Sequence, residues 1–247
     1  MVRSPRSLAP RASSRASLVA HLSPPERPLT GGLKWRWDGG RPWFRVYHAA
    51  PDRTATGRRR YGPIERFDPH TPPPNAPAEC PEGRSVIYLG DSLRTAAAEV
   101  FGPHRLAQIC PRYRVTALFP RDDLIVQNLR GSGAMMIGGL PAMNVGDIPR
   151  TETQAWARAI HEDRPADRRV CGVRYTSAYA GGVSLALWDT APEIRIARVG
   201  NRAQDFALAD PPVYARLLTA LVVLRIELRT VGSDDCARCG RRLEPVE

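Results

Sequence analysis

Lysine is almost missing from this chain: Lys34 is the only one in 247 residues, and arginine supplies nearly all the positive charge. That imbalance fits a GC-rich coding sequence as well as it fits phosphate binding, so the net charge of +11 is weak evidence for a nucleic-acid partner. Residues 1–60 carry 13 basic and 3 acidic side chains, whereas the remaining 187 carry 23 and 22. The body is nearly neutral, and no specific nucleic acid is expected. Long apolar runs are missing too. The best stretch, Val213 to Leu228, is interrupted by Arg216, Arg225 and Glu227, which excludes a membrane helix there. No secretory hydrophobic segment opens the chain. Residues 1–40 are rich in Arg, Ser and Pro, poor in acids as transit peptides are, and are expected to form a disordered basic arm. Five cysteines (Cys80, Cys110, Cys171, Cys236, Cys239) make no regular framework, which points to a reducing, cytoplasmic setting. GxGxxG, GK[ST], HExxH, GxSxG and kinase signatures are all absent, and no internal repeat is visible.

What is present centres on Ser85 to Gly102, SVIYLGDSLRTAAAEVFG. Ser85 to Leu89 is β-branched and aromatic, as a strand should be. Gly90, Asp91 and Ser92 form a turn in which Asp91 or Ser92 is placed to cap a helix. Leu93, Ala96, Ala97 and Val100 then follow the spacing of one apolar helical face. Glu99 falls on the flank of that face, where a carboxylate can be half-buried beside a core; a solvated surface Glu is the bland alternative.

Other strands are expected at Trp43–His48, Tyr113–Phe119, Leu124–Leu129, Val170–Ser177, Val183–Trp188 and Ile194–Val199. Arg45 and Tyr47 point to one side of the first by alternation. Helices are expected over residues 151–162, with Thr151 and Gln154 at capping-box spacing and Trp156, Ala159 and Ile160 buried, and over Pro212 to Arg229. Residues 51–84 form a long connection, and the Gly- and Met-rich stretch 131–146 reads as a flexible loop or lid. Strands with a few helices between them give an α+β molecule, divided into the arm 1–40, a domain 41–204 and a C-terminal helical tail 205–247.

Cys236 and Cys239 form a lone CxxC, half the ligands a structural zinc needs, in a tail that trails off. Cys171 and His161 are available partners without supporting spacing, so no metal is expected. Arg45, Arg66, Tyr88, Glu99 and Ser177 form the stronger constellation. Two guanidiniums can grip a diphosphate, an aromatic ring can stack on a planar cation, and one carboxylate can stabilise an oxocarbenium-like ribosyl cation.

RVY at 45–47, RFDP at 66–69, IYLGDSLRTAAAEVFG at 87–102, DL at 123–124, TQAWARAIH at 153–161 and GVRYTSAYAGGVSLALW at 172–188 occur in the order of the RES-domain family, which the chain resembles over residues 43–190. The resemblance implies a fold like that of the ADP-ribosyltransferases and an intracellular toxin that degrades NAD at its nicotinamide–ribose bond, by hydrolysis or phosphorolysis. It implies an Xre-like helix-turn-helix antitoxin as partner. NAD would be a substrate held by Arg45, Tyr47, Arg66, Tyr88 and Ser177, with Glu99 as catalytic carboxylate assisted by Arg45 and Ser177. ADP-ribosyl transfer to a macromolecule and a non-catalytic nucleotide- or partner-binding module are the alternatives.

Overall fold

The computed structural model describes residues 23–239; the first 22 residues of the expected basic arm, and residues 240–247, lie outside the described residues. In chain order the strands are β1 (Lys34–Trp37), β2 (Trp43–His48), the two-residue β3 (Tyr61–Gly62) and β4 (Ala78–Glu79), and β5 (Val86–Gly90). Helix α1 (Leu93–Phe101) leads to β6 (Leu106–Ile109), β7 (Tyr113–Pro120) and β8 (Leu124–Asn128). Two helices, α2 (Pro141–Val145) and α3 (Arg150–Asp163), precede β9 (Val170–Thr176) and β10 (Val183–Trp188). Short strands β11 (Ile194–Ile196), β12 (Arg198–Val199), β13 (Arg202–Ala203) and β14 (Asp205–Ala207) lead to α4 (Pro211–Val222) and β15 (Glu227–Thr230).

The α+β architecture is built on one nine-stranded sheet ordered β1-β8-β9-β10-β5-β2-β7-β11, with β14 also on β7. Within it only the β8–β9 pair is parallel. Period-2 alternation sends side chains to two faces. Val183, Leu185 and Leu187 of β10 join Trp37, Trp43, Leu118 and Leu124 on one side. Ala186 and Trp188 face the other way, against Tyr175 and against Trp156 and Ile160 of α3. A neighbouring core puts Val46 and Ile109 under α1 and α4, through Ala97, Phe101, Leu217 and Leu221. With both faces covered, β10 is buried at every position. Truncating either fully buried indole, Trp156 or Trp188, to alanine costs about 3–5 kcal/mol.

Several sequence expectations are corrected. Lys34–Trp37, inside the segment expected to be disordered, pairs antiparallel with β8 as an edge strand. Pro149, with no side-chain cap, precedes α3, so Thr151 lies inside the first turn and there is no capping box. The stretch expected as one strand from Ile194 to Val199 breaks after Ile196. The last helix stops at Val222 instead of Arg229. Arg225 takes a left-handed φ of 53° and the chain becomes β15, parallel to β6. The tail does not trail away: Val231 N–H donates to Ile109 O at 3.0 Å, and Cys236 is buried.

Candidate active site

Helix α1 delivers Glu99. Ser92 caps it, its Oγ accepting from Thr95 N–H at 3.2 Å. Asp91 instead ties the helix start to the sheet, taking Thr95 Oγ1–H on one oxygen and Val183 N–H on the other. Thr95, Glu99 and Gly102 stand four and three residues apart, on one flank. A side chain at Gly182 would collide with Thr95, and one at Gly102 would collide with Tyr179, so the 177–182 turn packs tightly along that flank. Glu99 is thereby pressed toward Ser177. Its Oε1 is buried with no hydrogen-bond partner. Burial pushes the carboxyl above its ordinary pKa, against the opposing pull of the Ser177 hydroxyl and the Arg66 charge.

Ser177 closes the turn that follows β9. Its Oγ accepts from the N–H groups of Tyr179 (3.3 Å) and Ala180 (3.2 Å), which leaves its own O–H to face Glu99. The Arg66 guanidinium lies over the rings of Tyr175 (4.8 Å) and Phe67 (5.5 Å). One of its nitrogens, Nη2, donates to Thr176 O at 3.3 Å, while Nη1 is buried without a partner. Desolvated contacts of this kind are worth about 2 kcal/mol. Gly146 sits at φ +88°, and a Cβ there would stand 2.5 Å from Arg66 Nη1. The C-terminal end of the stretch 131–146 is therefore packed against the site. It contains α2, and Asn144 Oδ1 accepts from Thr176 N–H at 2.8 Å.

Tyr88 donates its O–H to Asp68 Oδ1 at 2.6 Å. Asp68, with no exposed surface, also receives both oxygens' worth of Arg59 Nη2 at 2.8 Å and the N–H groups of Ile64 and Glu65. This fully satisfied carboxylate fixes the 64–67 corner and hence Arg66. Burial, with Asp68 beside it, holds the Tyr88 phenol neutral, far above its ordinary range. The residue as a whole keeps some solvent exposure.

The structure thus gathers Arg66, Tyr88, Glu99 and Ser177 into one cluster and adds three residues that sequence reasoning missed, Tyr175, Ser184 and Asp68. Tyr175 and Ser184 face each other across the β9–β10 pair, and the Ser184 hydroxyl is buried without a partner. Ser184 stands between Val183 and Leu185, so alternation alone placed it off the apolar face.

Arg45 and Tyr47 are placed elsewhere. Phe44 lies opposite Gly90, Gly90 opposite Ser184, and Ser184 opposite Tyr175, so the alternate residues Arg45 and Tyr47 turn to the other face. Nη1 of Arg45 donates to the carbonyls of Thr54 (2.9 Å), Ala55 (3.0 Å) and Gly57 (2.7 Å). Burial lowers its pKa to about 10. Tyr47 donates to Asp205, which Arg114 also grips, and burial together with that carboxylate raises the phenol to about 12.

The C-terminal cysteine pair has partners other than the two considered from sequence. Cys171 donates to Ile125 O in the core, and His161 contacts Asp189. Cys236 and Cys239 instead converge on His48 and Cys110. A family model described as RES domain matches residues 34–209, which takes in β1 through β14. No curated protein and no solved structure matches the chain.

Proposed function

The chain belongs to the RES domain family, and from that premise we propose that it cleaves the nicotinamide–ribose bond of NAD. The family points to an NAD-related enzymatic role in general; the bond, the residues and the toxin role are our reading. One observation carries it: Glu99 Oε1 and Arg66 Nη1, opposite in charge and in one cluster, are both buried without a hydrogen-bond partner and are not paired with each other. Each such orphan costs about 1–3 kcal/mol, a cost that a ligand bringing the complementary groups would relieve.

In NAD the bond to be broken joins the anomeric carbon of a ribose to a pyridinium nitrogen. As it breaks, the electron pair passes to nicotinamide, which leaves neutral, and positive charge develops on the ribose. An ionised Glu99 would stabilise that charge where it forms. Arg66, resting on the rings of Phe67 and Tyr175, would offer Nη1 to a phosphate oxygen. Tyr88, with its hydroxyl fixed on Asp68, would present its ring to nicotinamide. Ser177 would keep Glu99 and the nearby ribose in register. Arg45 and Tyr47 act in this reading by holding the 54–57 corner and the β14 edge. Attack of water or phosphate on the anomeric carbon, with loss of its proton, completes the reaction.

An intracellular toxin restrained by an Xre-like helix-turn-helix partner is the biological role this chemistry suits. The test is direct: the purified chain is incubated with NAD, and nicotinamide and residual NAD are measured together. Equal loss of NAD and gain of nicotinamide is expected. A folded protein that leaves NAD intact, with or without phosphate, overturns the reading.

A further inference from the structure

The four side chains that converge behind β2 belong to none of the chemistry above. His48 ends β2, Cys110 follows β6, and Cys236 and Cys239 lie on the segment that β15 lays alongside β6. His48 Nε2 lies 3.4 Å from Cys110 Sγ, 3.3 Å from Cys239 Sγ and 3.8 Å from Cys236 Sγ. Cys110 and Cys239 have their sulfurs 3.6 Å apart, and all four atoms lie within 4.8 Å of one another.

These separations have a simple geometric meaning. Zinc bonds of about 2.3 Å to sulfur and about 2.0–2.1 Å to nitrogen, at tetrahedral angles, put sulfurs about 3.8 Å apart and nitrogen about 3.5 Å from sulfur. A disulfide would need about 2.05 Å between sulfurs, and all five cysteines are free. We propose that His48, Cys110, Cys236 and Cys239 bind a single zinc ion that pins the C-terminal segment to the end of β2.

Three observations support that assignment. Cys236 and Cys239 form a tight turn, Cys239 N–H donating to Cys236 O at 2.9 Å, the C-x2-C arrangement that presents two sulfurs to one metal. The imidazole is aimed by packing, its ring meeting that of Tyr113 edge-on at 5.0 Å. Arg53, Arg112 and Arg238 surround it with positive charge, which suits a centre whose three thiolates leave it net negative. Four protein ligands leave no position for water or substrate, so the site is structural. The two tail ligands lie beyond residue 209, so the site joins the matched domain to a segment outside it. The proposal stands independently of NAD cleavage.

The full chain, expressed in zinc-supplemented medium and purified under reducing conditions without chelator, is assayed for metal by mass spectrometry and for free thiols after denaturation. One zinc per chain and five free thiols are expected. Cobalt(II) in its place should give the intense visible absorption of a tetrahedral thiolate site. Cys236→Ser and Cys239→Ser should lose the metal, while Cys80→Ser and Cys171→Ser retain it. Withdrawal of zinc by a chelator should lower the melting temperature by several degrees, and returning zinc should restore it. A folded, reduced parent protein that keeps no zinc overturns the proposal, and this outcome needs no variant to fold. A Cys236–Cys239 disulfide in that protein, or zinc kept by both tail variants, also overturns it.

Discussion

Replacing Glu99 by Gln separates charge from shape at the point where the reading of the site is most exposed. The amide keeps the volume and a hydrogen-bonding oxygen for Ser177 but cannot stabilise a ribosyl cation. A preorganised electrostatic contact made in the transition state is worth about 10²-fold or more in turnover, which is about 2.7 kcal/mol. NAD binding should change far less, since Arg66 would hold the phosphates in the ground state. The same substitution has a stability signature. Burial raises the folded-state pKa of Glu99 above its unfolded value, so the native protein holds the proton longer as pH rises. Below the ordinary carboxyl pKa both states are protonated and the ionisation penalty of Glu99 is absent. Between that value and the raised one stability falls with pH, and above it the full penalty persists. Glu99→Gln should therefore melt higher than the parent at neutral pH, with the gap closing in acid. In the parent, turnover should fall on acidification at a pH above that of an ordinary carboxylate. NAD consumption, melting temperature and their pH profiles are measured for both proteins. A folded Glu99→Gln protein that consumes NAD at the parental rate refutes the mechanism.

Gly146→Ala forces a Cβ into a left-handed backbone and toward Arg66 Nη1, so it should cost about 1–2 kcal/mol from the backbone alone and raise the KM for NAD; an unchanged KM would show that Arg66 does not meet substrate. Asp68→Asn removes the buried partner of Arg59 and Tyr88 and should destabilise by about 3–5 kcal/mol in denaturant titration, because Arg59 is left uncompensated. Ser92→Ala removes the only side-chain cap of α1 and should cost about 1 kcal/mol, read from the same titration, with little effect on the KM.

Where structure depended on near neighbours, it was legible in the residues. Alternation of Val183, Leu185 and Leu187 marked β10 and its apolar face, and the turn with Asp91 or Ser92 as cap marked the start of α1, the structure choosing Ser92. Helical spacing alone placed Glu99 beside the buried stripe. What escaped the sequence was decided by segments far apart in the chain. Val213 to Leu228 carries enough apolar residues to continue as a helix, yet Glu227–Thr230 became a strand because β6 offered an unpaired edge. Lys34–Trp37 has strand character only because β8 lies beside it. Alternation put Arg45 and Tyr47 on one side of β2, but which side faced Glu99 depended on the register linking Phe44, Gly90, Ser184 and Tyr175. The cysteine cluster shows the limit most plainly. CxxC spacing is local and was visible, whereas His48 and Cys110 meet it only after a parallel strand pairing closes more than a hundred residues of chain, and no short-range pattern encodes such a contact.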